Sequence, residues 1–384
     1  MMWKKSLWFI LVLLLCLPLI VGCGGSSGGS SPTGQGGATS GGTSSAGGSS
    51  SAFVKPASPL DFDFSTVDWS QQPEVKMLHA TVFSAVHSSS VNVMEAFSEA
   101  EELTGGKLKF DMPYDAILVD DAGMMESLES GMSQLVKNTP SVNVGLIPEL
   151  EALVYPGYFS GTREEYMAFN RDMDGPVTAV MEKNNFKHVI MGFSGRSGFL
   201  TKKSQVLHPD DLKGLILRAS GASVGKVIEA YGASATVLGL GDVPTALDRG
   251  TVDGLFTSAS MVVQLHFTEV ANNLTVLTFR EMVSTYCMYL PWWNSLTPEM
   301  QAAIDYFCEK WFQINYETVD IQDNVEFNKA RDDGVSVVEL TPEQNKPFET
   351  AVKTMFDDLG GRSSAEGLAM LRVIYDHNSW DWAF

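Results

Sequence analysis

Residues 210–254 read DDLKGLILRASGASVGKVIEAYGASATVLGLGDVPTALDRGTVDG, and their pattern decides the fold class. Leu215-Ile216-Leu217 is a short aliphatic run that predicts a buried strand with Arg218 at its end. A permanently charged guanidinium after three aliphatics needs an anion or water beside it. The Gly/Ala/Ser turn that follows opens a helix from about Ser223 to Tyr231, stopped at Gly232. A second strand is expected near Ala235–Leu238, a helix from Asp242 to Arg249, and a third strand from Thr251. Strands alternating with short helices indicate a parallel, open α/β sheet. Ligands of such sheets bind beyond the carboxyl ends of the strands, which is where Arg218 stands.

Asp211-Leu212-Lys213-Gly214, Arg218 and, 28 residues further on, Ala246-Leu247 with Gly250-Thr251-Val252-Asp253-Gly254 form an ordered set. The set resembles the solute-binding proteins of TRAP transporters, the extracytoplasmic receptors of sodium-coupled organic acid uptake. The resemblance spans roughly Val75–Asp376 and takes in TGGKLKF at Thr104–Phe110 and the segment from Pro148-Glu149-Leu150 to Tyr158-Phe159. It implies a two-domain α/β fold like that of periplasmic binding proteins: open mixed sheets flanked by helices, a hinged cleft and a long spine helix. The expected first domain is 74–192 plus about 284–325, and the second 193–283 plus about 326–378. The implied partners are a small organic acid and the TRAP membrane subunits.

Working outward, residues 1–22 read as a secretory signal, with Lys4-Lys5 before an apolar run from Leu7 to Val21. That run is short for a membrane span and no basic stop follows it. Ile20-Val21-Gly22-Cys23 resembles a bacterial lipobox, which would make Cys23 a lipidated N-terminus; a signal-anchor helix with a chance cysteine is the alternative. Residues 23–55 then form a Gly/Ser-rich tether that cannot build a core. A lipid on Cys23 and a flexible leash would hold a soluble domain at a membrane surface. The formal charge of −20 becomes −22 once Lys4 and Lys5 leave with the signal. So acidic a chain is no partner for nucleic acid or a basic-patch membrane binder, and an anion site in it requires local arginines.

Downstream of the tether, Phe62, Phe64 and Trp69 lie on an irregular arm suited to pack on the globular part. Strands are expected at Val75–Ala80, Lys107–Pro113, Ser133–Val136, Lys187–Met191, Asn273–Leu277, Ser284–Leu290 and Val335–Val338. Asp120-Asp121 is read as the cap of a helix reaching Gly131, and Thr162–Asn184 as a long helix. Gly192–Lys203 is read as a loop carrying Arg196. Thr297-Pro298-Glu299 starts a helix that can run to Arg331, and two more close the chain at Pro342–Leu359 and Ser364–Asp376. Cys287 and Cys308 sit in apolar surroundings, which favours buried thiols over a disulfide.

The candidate ligand contacts follow. Arg218 is read as a bidentate clamp on a carboxylate, the family's carboxylate-binding arginine by resemblance; a strand-end arginine paired with an acid is the alternative. Arg196, 22 residues upstream between Gly195 and Gly198, stands where some TRAP receptors carry a second substrate-facing arginine. Relatives often place a Glu-Asn pair after Asp-Gly-x, whereas this chain has Leu255-Phe256-Thr257. Thr257 is then a candidate contact and Phe256 a pocket wall or a core residue. That departure favours a monocarboxylate with an apolar body. His87, in the loop after the first strand, and Tyr155, with Tyr158 and Phe159, are further candidates for the cleft.

Enzyme signals are weak. Ser223-Val224-Gly225-Lys226 matches a Ser-x-x-Lys motif without its companion elements. The six histidines show no zinc-ligand spacing, and no phosphate loop or nucleophile elbow occurs. The expectation is a receptor with no cofactor, metal or catalytic residue. A lipid-anchored sensor for a signalling partner and the receptor of an ATP-driven uptake system are the competing readings.

Overall fold

The computed structural model describes residues 53–156, 162–192, 195–280 and 284–382. The signal, Cys23 and almost all of the tether therefore lie outside the described residues, as do Tyr158 and Phe159. The strands are β1 Val75–Ala80, β2 Leu108–Asp111, β3 Leu135–Asn138, β4 Phe186–Gly192, β5 Arg196–Thr201, β6 Ile216–Ala219, β7 Ser234–Val237, β8 Gly254–Ser258, β9 Asn273–Arg280, β10 Ser284–Tyr289 and β11 Ser336–Glu339. They form two sheets flanked by helices. The first has the order β2-β1-β3-β10-β4 and the second β11-β9-β5-β8-β6-β7. In the first, β10 runs antiparallel to both neighbours, and in the second β5 does. The sheets are therefore mixed, because the chain passes from one to the other between β4 and β5 and returns between β9 and β10.

Local chemistry accounts for the central stretch. β6 buries Leu217 and Ala219 completely and carries Arg218 at 4% exposure. The helix Ala222–Ala230 buries Val224, Val227 and Ile228, and Gly232 at φ +98° ends it. β8 starts three residues later than expected. Thr251 and Val252 give their N–H groups to the Ala246 carbonyl and finish the preceding helix stop, while the Asp253 carboxylate accepts the Ile216 N–H at 3.0 Å.

The segment Gly192–Lys203 is not a loop throughout. Residues 196–201 are β5, which lies inside the second sheet between β8 and β9. Its glycines permit close packing rather than freedom. A Cβ on Gly198 would lie 2.7 Å from the Thr275 carbonyl oxygen and 2.8 Å from the Ala259 Cβ. One on Gly195 would lie 2.0 Å from an Asp323 carboxylate oxygen.

A 35-residue helix, Pro298–Asp332, links the two sheets. Thr297 caps it by accepting the Met300 N–H, and at 1.5 Å per residue it extends roughly 50 Å. Its first half buries Ile304, Phe307 and Trp311 in the core shared with the first sheet. Its last turns bury Phe327 and Ala330 in a core of the second sheet with Leu255, Leu274 and Val276. The N-terminal arm packs on it, with Phe64 against Tyr306 and Phe307 at ring separations of 5.0 and 5.6 Å. Cys287 and Cys308 are both free and buried. Among the described residues no helix is long and apolar enough to cross a membrane.

A buried carboxylate ties the first sheet's helices to the second's. Glu151, in the turn Pro148–Leu153, accepts from Tyr155 Oη at 2.7 Å, Lys226 Nζ at 2.9 Å, Arg362 Nη1 at 2.7 Å and Ser223 Oγ at 3.3 Å. The Ser-x-x-Lys pair thus serves as two donors to one carboxylate. Burial alone would raise the Glu151 carboxyl, but these hydrogen bonds and the Arg362 charge outweigh it and hold it at about 2.

Two predictions follow from this packing. Gly198→Ala puts a methyl against backbone that has no room to yield, and should cost about 1–3 kcal/mol in urea unfolding. Glu151→Gln leaves two cations without their partner and should cost about 2–3 kcal/mol at neutral pH. Because the folded-state value lies below the ordinary 4.5, the charge contributes its full stability above that pH and loses it as pH falls toward 2. The gap in unfolding free energy between wild type and Glu151→Gln should therefore hold at pH 5–7 and close in acid.

Candidate functional site

The carboxyl ends of β1, β3, β6, β7 and β8 converge on a cavity of about 630 Å³ between the two sheets. That size suits a small organic molecule. Arg218 on β6 and Thr257 on β8 both line it. Arg218 is almost fully buried, and its Nε–H donates to the Leu238 carbonyl at 3.0 Å. This bond anchors one edge of the guanidinium plane and so fixes its orientation in the cavity wall.

A smaller cavity of about 40 Å³ adjoins the first and shares Phe83, Lys137 and Met261 with it. His87 borders this one. Its Nδ1 accepts the Ser89 N–H at 3.2 Å and so caps the helix Ser88–Phe97, and its ring stacks on Phe83 at 3.9 Å. Burial first and the Lys137 charge second lower its pKa to about 3, so the imidazole is neutral at physiological pH.

Three other candidates line neither cavity. Phe256 packs against Phe199 at 4.8 Å and Tyr231 at 5.9 Å, inside the core of the second sheet. Alternation along β8 explains this: Phe256 points to the face opposite Thr257. Leu255 is likewise fully buried in the core. Tyr155 is 1% exposed and spends its hydroxyl on Glu151. Arg196 is bound elsewhere, its Nη1 2.9 Å from Glu339 and its Nε 3.7 Å from Asp323, with its guanidinium over the Phe327 ring. The Asp323 carboxylate also accepts the Arg196 backbone N–H at 3.0 Å. Arg196 is thereby fastened to β11 and the long helix.

Three charged groups in the cavity wall, Lys137, Asp120 and Asp121, were not singled out from the sequence as ligand contacts. Lys137 on β3 lies with its Nζ 4.7 Å from the Phe83 ring centre. A lysine in the otherwise buried run Leu135-Val136-Lys137-Asn138 was the available signal. Asp121, read as a helix cap, instead accepts from Thr139 Oγ1 at 3.0 Å, while the helix Met124–Glu129 has no side-chain cap. Burial raises the Asp121 carboxyl above its usual range, against the pull of Lys137, the Thr139 hydrogen bond and Arg218. Phe83, Leu238, Leu240, Met261 and Phe267 supply an apolar wall. The apolar character expected from Leu255 and Phe256 thus comes from other residues. Among the described residues no cluster of His, Cys, Asp or Glu is placed to hold a metal.

Segments beyond strands of the two sheets touch one another. Ser141 Oγ, beyond β3, lies 3.0 Å from Ser220 Oγ, beyond β6. A Cβ on Gly221 would come within 2.2 Å of the Ser141 carbonyl oxygen, so only glycine allows this approach.

The family described as bacterial extracellular solute-binding protein, family 7, matches residues 80–361. A solute-binding protein of Verminephrobacter eiseniae is 24% identical over 268 residues, covering 68% of this chain and 79% of its own. The periplasmic ectoine-binding protein of the TeaABC TRAP-transporter of Halomonas elongata superposes with a TM-score of 0.73 at 16% identity, over 79% of this chain and 99% of that one. A TRAP periplasmic solute-binding protein of Sulfitobacter sp. NAS-14.1 with bound β-D-galacturonate gives 0.71 at 18%, over 79% and 100%. The fold with two mixed sheets is therefore that of TRAP periplasmic binding proteins. The chain belongs to the bacterial extracellular solute-binding proteins, family 7, and is a binding protein rather than an enzyme.

Proposed function

We propose that this protein is the extracytoplasmic receptor of a TRAP-type transporter and holds an organic acid anion in the cavity between its sheets. Arg218 binds the carboxylate. The observation that carries this reading is the buried guanidinium in the cavity wall, oriented by its bond to Leu238 at the carboxyl end of β6. Such a group can give two parallel charge-assisted hydrogen bonds to a carboxylate, and exclusion of water strengthens them. Thr257 adds a hydroxyl on the same wall. The β-D-galacturonate held by the Sulfitobacter relative is an acid of this kind.

The two lobes are 74–192 plus about 284–325 and 193–283 plus about 326–378, and they close on the ligand by bending where the chain crosses between the sheets. Cys23 carries lipid, and residues 24–51 tether the receptor outside the membrane. The closed form delivers its ligand to the TRAP membrane subunits.

Two measurements test the reading. In a thermal-shift screen against organic acids, a ligand that binds the folded protein raises the midpoint by mass action. Arg218→Ala should abolish every such shift and weaken binding by at least about a hundredfold, on the order of 3 kcal/mol. A hit that survives Arg218→Ala excludes the clamp. Gly221→Ala should weaken binding about tenfold, roughly 1.4 kcal/mol, by holding Ser141 and Ser220 apart, and should also lower the unfolding midpoint of the unliganded protein, where this close approach is already made.

A further inference from the structure

We propose that Asp121 is a specificity-determining residue of this cavity, and that it selects a monocarboxylate with an apolar body carrying a hydrogen-bond donor, hydroxyl or ammonium. The inference rests on Arg218 as the carboxylate site and specifies what the rest of the ligand must be.

The argument begins with the charges in the wall. Arg218 and Lys137 are matched there by Asp120 and Asp121. The two acids differ. Asp120 gives one oxygen to the Gly123 N–H at 3.0 Å, within its own turn. Asp121 is half-buried at the cavity surface and is held from behind by the Thr139 hydroxyl on Oδ1. Among the described residues, no lysine, arginine or histidine nitrogen lies within 4.0 Å of its carboxylate. Lys137 and Arg218 are nevertheless close enough to act on it electrostatically.

A carboxylate in this position has opposite effects on two classes of ligand. A second carboxylate on the ligand would be placed beside a partly desolvated anion, and at short range in a low-dielectric cavity that repulsion is large. A hydroxyl or ammonium there would complete the hydrogen bonding of a desolvated acceptor. Sites built around a buried polar group reject analogues that lack its partner far more strongly than sites that only add apolar contact. Phe83, Leu238, Leu240 and Met261 line the same cavity as Arg218 and Asp121. The preferred ligand is therefore an anion with an apolar body and a donor where it faces Asp121.

The test uses the full chain and matched aromatic acids, with affinity measured by titration calorimetry. The probes are 3-phenylpropanoate, which has no donor; 3-phenyllactate and 3-(4-hydroxyphenyl)propanoate, which add a hydroxyl at either end; phenylalanine, which adds an ammonium; and phenylsuccinate, which adds a second carboxylate. Wild type should bind at least one donor-bearing acid more than tenfold more tightly than 3-phenylpropanoate, and phenylsuccinate most weakly. Which donor wins separates hydroxyl from ammonium and shows where along the ligand it lies. Asp121→Asn, which keeps the shape and an oxygen for Thr139, should bring donor-bearing and donor-free acids within about threefold and raise affinity for phenylsuccinate. Thr139→Val should reduce the discrimination in part, and serves as the readout if Asp121→Asn does not fold. An unchanged ranking in these variants, tightest wild-type binding to phenylsuccinate, or no binding by any member of the panel overturns the proposal. Loss of all binding in Arg218→Ala with discrimination intact in wild type leaves the clamp standing. Survival of binding in Arg218→Ala removes the clamp, while the Asp121 comparison still reads independently.

Discussion

One helix sets the geometry on which the site depends. Residues 298–332 bury side chains in a core on each side, so neither sheet can shift far along the helix without exposing apolar surface. Trp311 at one core and Phe327 at the other are both fully buried, and truncating a buried aromatic costs about 3–5 kcal/mol. The helix is also the anchor for β5. Asp323, in its last third, accepts the Arg196 backbone N–H, and its carboxylate fills the space that a side chain on Gly195 would need.

That arrangement reassigns two arginines of similar appearance. Arg196 and Arg218 each precede a small-residue segment. Only Arg218 ends a strand whose carboxyl end opens on the cavity. Arg196 opens a strand that runs the opposite way to its neighbours β8 and β9, and is met by two carboxylates, Asp323 and Glu339. Strand direction, which no local pattern reports, separates the two roles. Glu151 is a comparable case among residues that line neither cavity. It draws Ser223 and Lys226 into a structural node and removes the grounds for reading them as a nucleophile and its base.

The cavity is then a balance between an acidic protein and a local pair of cations. A chain of charge −20 does not attract anions at long range. Within the cavity the range is short, and Arg218 and Lys137 bring positive charge into its wall. In the proposed reading, the anion is held by Arg218 and a second negative charge is opposed by Asp121, both residues of one cavity wall.

The sequence alone determined the element order and most element bounds. The stretch Leu215–Gly254 showed strand, helix, strand, helix and strand through its aliphatic runs and its glycine stops, and Thr297-Pro298 marked the start of the long helix. These are local effects of backbone preference and capping, so they are legible locally. Arg218 as a cavity residue was legible because the carboxyl end of a strand in such a sheet is a known place for a ligand, whereas Thr257 was legible only through the family resemblance after Asp253-Gly254. Tertiary structure decided the rest. Gly195 and Gly198 resembled loop glycines until Asp323, Thr275 and Ala259 were seen to crowd them. Phe256 went to the core and Thr257 to the cavity because adjacent residues of a strand face opposite ways, and which face is wet depends on partners far away in the chain. Asp121 and Lys137, 16 positions apart, line one cavity only because the chain beyond β2 and the end of β3 are brought together by the sheet order β2-β1-β3. A site assembled from several strand ends is a property of how those strands are ordered, and strand order is fixed by packing between segments distant in sequence.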